Sequence, residues 1–89
     1  MNAVISVIGK DNVGIIAKVS QDCAACGVNI LDVSQSVIKD YFTMIMLVNI
    51  DQMTVSFPAF AERMTALGTS LGLEIHAMHE DIFNVMHNI

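Results

Sequence analysis

Cationic side chains are scarce in this chain. Lys10, Lys18, Lys39 and Arg63 are the only four, against nine carboxylates, for a formal net charge of −5. Four scattered cations cannot line a phosphate backbone, so nucleic acid is excluded as a direct partner and an anionic membrane surface is disfavoured. Long apolar runs are also missing. The longest, Met44 to Val48, falls far short of the roughly 20 residues that a membrane helix needs. The N-terminus lacks a basic segment followed by a leader-length apolar run, so no signal peptide is expected. Cysteine is limited to Cys23 and Cys26. Without a leader, that usage suits the reducing cytoplasm. Proline occurs once, at Pro58, and no linker, low-complexity tract or repeat divides the chain. Residues 1–89 therefore read as a single domain.

What the sequence does have is apolar bulk. The hydrophobic fraction is 54% and the mean hydropathy +0.60. A domain this small has too little interior to hide so much apolar surface, and part of it is expected to meet another subunit.

The chain is organised around Gly9-Lys10-Asp11-Asn12-Val13-Gly14-Ile15. Val4 to Ile8, on its N-terminal side, is a β-branched run read as a buried strand. On its other side Ile15, Ile16, Val19, Cys23 and Cys26 recur at helical spacing, which predicts a helix from about Val13 to Cys26 that stops at Gly27. The loop thus joins a strand end to a helix start. Asp11 or Asn12 can cap the helix, and its first amides, carrying positive partial charge, point into the loop. Such a loop suits a small anion such as a carboxylate. The spacings GxGxxG and GxxxxGK[ST] are both missing, so it is not a nucleotide phosphate loop.

Val28 to Ile38 reads as a second strand whose apolar face is broken by Gln35, as at a sheet edge or at a polar contact. Lys39-Asp40 is a tight hairpin turn without the favoured glycine. Tyr41 to Ile50 is a third strand, apolar on both faces and so expected to be covered on both sides. Ser56 caps a second helix with Pro58 in its first turn and Gly72 at its end. Leu73 to Met78 is a fourth strand, and Glu80 to His87 a short final helix with Ile82, Phe83 and Met86 on one face. The order is βαββαβ plus a tail. Right-handed crossovers place both long helices on one face of a four-stranded antiparallel sheet, the ferredoxin-like α+β sandwich, and leave the other face bare.

Catalytic and metal-binding constellations are not expected. Cys23-Ala-Ala-Cys26 has redox spacing but sits at a helix C-terminus, where the dipole disfavours thiolate, and reads as packed and inert. His76 and His79 are three apart on a strand and face opposite sides, so a shared metal is not expected even with help from Glu74, Glu80 or Asp81. No Ser-His-Asp grouping has a supporting local motif. No cofactor is implied.

The Asp11-x-x-Gly14 loop after strand one, Gly27-Val28-Asn29-Ile30 at the start of strand two and the apolar third strand resemble an ACT domain, the small-molecule-sensing regulatory module of amino-acid metabolism. The resemblance covers nearly the whole chain. It extends to the free-standing single-ACT proteins of bacteria and to the ACT modules of glycine-cleavage repressors. Many members carry proline before the loop glycine, where this chain has Val13. The resemblance implies an amino acid bound between the first loop of one subunit, here Asp11, Asn12, Val13, Gly14 and Ile15, and strand two of its neighbour, here Asn29 and Ile30. A homo-oligomer, either a dimer or a dimer of dimers, is then expected, together with an unidentified regulated protein. A structural assembly module that binds no ligand is the alternative; a small ferredoxin-like enzyme is a third reading, without a supporting nucleophile, metal set or base.

Overall fold

The structure, a computed structural model, describes residues 1–10 and 14–87. Their order is β1 (Asn2–Lys10), α1 (Ile15–Ala25), β2 (Asn29–Ile38), β3 (Tyr41–Asn49), α2 (Phe57–Leu71), β4 (Glu74–His79) and α3 (Glu80–His87). The four strands form one antiparallel sheet in the order β2-β3-β1-β4. This is the expected ferredoxin-like βαββαβ sandwich. Every expected element is present.

Alternation along the strands decides which side is buried. Ala3, Ile5 and Val7 of β1, Phe42, Met44, Met46 and Val48 of β3, and Ile75 of β4 join Ile15, Val19 and Cys23 of α1 and Phe60 and Met64 of α2 in one core. Both long helices therefore lie on one side of the sheet. The other side carries Asn2, Val4, Ser6 and Ile8 on β1 against Asn49, Leu47, Ile45 and Thr43 on β3. Ile45 and Leu47 are only half-buried and Ile8 is exposed. The expectation that β3 is covered on both faces is thus corrected: within one chain its second face has no long helix over it.

Local chemistry sets the helix ends. In α2, Ser56 Oγ accepts from the Ala59 amide at 3.3 Å and Pro58 occupies the first turn, where its missing N–H costs nothing. Gly27 and Gly72, at φ +71° and +72°, close the two long helices with paired back-bonds, Val28 N–H to Cys23 O at 2.8 Å and Leu73 N–H to Gly68 O at 2.8 Å. The start of α1 differs from expectation. Its N-cap is Gly14, in the left-handed region at φ +85°, so the cap does not fall on Asp11 or Asn12 and the helix begins at Ile15. Ile16 also leaves the predicted apolar stripe: Ile15, Val19 and Cys23 are buried, whereas Ile16 is 40% exposed. At the β2–β3 hairpin Lys39 takes φ +55°, a value glycine would hold with less strain.

Candidate functional site

The helix N-terminus at Gly14 is the built part of the candidate site. The Lys18 amide donates to the Gly14 carbonyl at 3.0 Å, the first bond of α1. The amides of Ile15, Ile16 and Ala17 precede it and have no intrahelical acceptor, which leaves donors and the positive end of the helix dipole at the loop. Ile15 contributes its backbone only, since its side chain is buried in the core. Gly14 is exposed, and among the described residues no atom lies within 4 Å of where a Cβ would stand. Its glycine is demanded by the positive φ, not by crowding of the turn. Asp11, Asn12 and Val13 lie outside the described residues.

Asn29 and Ile30, the other half of the expected site, open β2. Asn29 is exposed and pairs with Asn49; Ile30 is partly buried against the core. A bulge follows between Ile30 and Asp32 and leaves Leu31 exposed. One chain does not bring the two halves together. Lys10 pairs with Tyr41 at one end of β3, and Asn29 with Asn49 at the other. Nine strand residues separate those ends by roughly 25 Å.

The sulfur and imidazole groups occupy separate places. Cys23 and Cys26 are free, fully buried thiols. Burial pushes the Cys23 thiol up to about 11, with Cys26 and then Asp22 adding to it. Arg63 reaches across from α2 and donates to Asp22 at 3.2 Å and to the Cys26 sulfur at 3.5 Å. The carboxylate of Asp22 holds the guanidinium in its charged form and raises its pKa. His76 lies beside Glu74 at 3.1 Å on one face of β4, while His79, on the other, stacks on Phe57 with centroids 4.2 Å apart. Among the described residues no group of three or more His, Cys, Asp or Glu could hold a metal ion. No described helix is long and apolar enough to cross a membrane.

Exposed apolar residues flank these features: Val37, Ile38 and Tyr41 at the hairpin end, and Ile82, Val85 and Met86 on α3. Helical spacing put Ile82 and Met86 on one face without showing that the face is exposed; Val85 had no signal beyond the apolar excess of the composition.

A four-stranded βαββαβ sandwich with a left-handed glycine at the start of its first helix defines a small α+β domain of the ferredoxin-like class. The sequence matches the ACT domain family over residues 2–78. The chain belongs to that family. It is 47% identical to a UPF0237 protein of Listeria innocua across the full length of both. The ACT domain protein from Streptococcus pneumoniae superposes with a TM-score of 0.81 at 40% identity, over 93% of each chain. A protein described as a putative glycine cleavage system transcriptional repressor matches with a TM-score of 0.68 at 25% identity, over 85% of this chain and 43% of its own. ACT domains are typically small-molecule-binding regulatory domains, and the resemblance read from the sequence holds for the family.

Proposed function

We propose that the protein is a cytoplasmic regulatory module, without catalysis of its own, that binds a small amino acid between two copies of itself and passes the occupancy to a regulated protein. The observation that carries this reading is the separation of Gly14 from Asn29 within one chain, together with an unpaired edge at β2. Antiparallel pairing of β2 with the β2 of a second copy would bring that copy's Asn29–Ile30 end to the Ile38 end of this one, where β1 ends at Lys10. Several features support that pairing. β2 is ten residues long and has no proline, and its bulge and its one charge, Asp32, are confined to the Asn29 end, which leaves Val33 to Ile38 as a regular edge. Val37 on β2 and Ile16 on the flank of α1 are exposed and apolar. The ligand carboxylate would sit against the Ile15–Ala17 amides, as anions do at helix N-termini. Asp11 is the nearest acidic side chain in sequence for the ammonium group.

Thermal melting of the protein with each of the twenty amino acids tests the reading, because a ligand specific for the folded state raises the melting temperature by linkage. A hit should then weaken on Asn29→Ala and on Asp11→Ala in calorimetry, by roughly 1–3 kcal/mol where a charge-assisted hydrogen bond is lost. Binding unchanged in both variants would place the site elsewhere. Binding of no amino acid, with the assembly intact, would favour a purely structural module.

A further inference from the structure

The backbone groups of β2 divide by alternation between its neighbour β3 and the free edge of the sheet. Ile38 and Tyr41 stand opposite each other across the two-residue turn Lys39-Asp40. Residues that close such a turn point their N–H and C=O groups at each other. Ile38 therefore addresses β3, and so do Ser36 and Ser34, since the register is regular from Asp32 onward. Val37, Gln35 and Val33 turn theirs outward, to the edge that no strand of this chain covers.

One of those three outward amides is already taken. The Val33 N–H donates to the Asp32 carboxylate at 2.9 Å. An N–H so engaged cannot also serve β3, which agrees with the alternation. Asp32 is exposed, stands directly after the bulge and is in no ion pair among the described residues. Its charge makes it a stronger acceptor than a neutral carbonyl.

A second β2 can meet this edge only with outward residues opposite outward residues, because those alone carry free backbone groups. A pairing centred on Ser34 sets Val33 against Gln35, twice over, and brings Ile30 of one copy to Ile38 of the other. Each Val33 N–H then belongs to the Gln35 carbonyl of the other copy. Centring on Val33 or on Gln35 uses the same amide. Asp32 and a paired edge thus compete for one donor.

We propose that Asp32 is an autoinhibitory latch on the β2 edge. It caps the Val33 amide in the single chain and swings off when a second copy pairs there. The inference rests on the β2 pairing of the proposed function and adds what restrains it. A capped edge resists indiscriminate strand addition and leaves the shift towards pairs to the ligand.

Sedimentation equilibrium of the full chain without ligand tests this, with circular dichroism to check that each variant is folded. Asp32→Ala frees the amide and is expected to tighten pairing at least about fivefold, because each of two copies loses a bond of ordinary net worth. Asp32→Asn removes the charge but keeps an oxygen that accepts from Val33, and is expected to stay near the wild type. Equal gains in the two variants would assign the effect to charge and overturn the latch. Ser34→Lys sets like charges opposite each other at the two-fold axis and is expected to cancel the gain of Asp32→Ala. If Ser34→Lys weakens neither the wild type nor Asp32→Ala, the β2 pairing fails and the latch with it. If Ser34→Lys dissociates the wild type but Asp32→Ala pairs no more tightly than the wild type, the latch alone is wrong.

Discussion

Gly14 and Gly27 share a backbone conformation, at φ +85° and +71°, but not surroundings. A Cβ at Gly27 would lie 2.5 Å from the Gln52 carbonyl oxygen, whereas at Gly14 it would meet no described atom within 4 Å. Gly14→Ala should therefore cost only the left-handed strain, about 1 kcal/mol, and lower the melting temperature by roughly 4–8 °C. Gly27→Ala adds a backbone clash and should cost more than about 2 kcal/mol. Thermal denaturation of the two variants checks the order; equal losses would mean that the Gln52 segment yields freely. Cys23 gives a second test at this scale. Its thiol pKa rises from 9.0 to about 11 on folding, chiefly through burial. The folded state thus holds the proton more tightly than the unfolded chain. The associated stability is complete below pH 9 and is lost as pH rises towards 11. Denaturation midpoints should fall over that window in the wild type and fall less in Cys23→Ala, after allowance for the small cavity. Parallel curves would show that the thiol makes no contribution.

Among the elements, those with strong local punctuation were legible in the sequence. Ser56, Pro58 and Gly72 marked both ends of α2, and Gln35, interrupting the apolar face of β2, pointed to a sheet edge, as the strand order shows. The start of α1 was not legible to the residue. Asp11 and Asn12 are good capping types, yet Gly14 occupies the cap, a backbone choice that side-chain preference does not reveal. Ile16 was read into the core stripe because helical spacing gives a face and not its width; the buried arc closes around Ile15, Val19 and Cys23. β3 was read as covered on both sides from its two apolar faces, but one chain supplies long helices for only one of them. The same ambiguity affects α3, whose Ile82 and Met86 are exposed. Periodicity tells which residues share a side. It does not tell whether that side meets its own chain or another. For the candidate site the consequence is direct: Gly14 and Asn29 could be named from the sequence, but their separation by the length of β3 required the topology.

At the scale of the whole molecule, a binding site completed by a second copy makes association and ligand binding one equilibrium. If the β1–α1 loop of one copy and Asn29 of another both touch the ligand, the ligand binds the pair better than the single chain, and by linkage it must strengthen the pair by the same factor. The melting temperature should then rise with protein concentration, since dissociation accompanies unfolding, and the rise should become smaller when the ligand is saturating. Ser34→Lys, exposed at the middle of the β2 edge and away from both Asn29 and the Ile38 end, should lower apparent ligand affinity at low protein concentration and recover it at high concentration. Asn29→Ala should lower affinity at every concentration and leave assembly without ligand unchanged. Calorimetric titration at two protein concentrations, with sedimentation on the same samples, separates the two behaviours. If Ser34→Lys dissociates the pair and yet binds ligand with wild-type affinity at all concentrations, the site is complete within one chain and the shared arrangement is wrong.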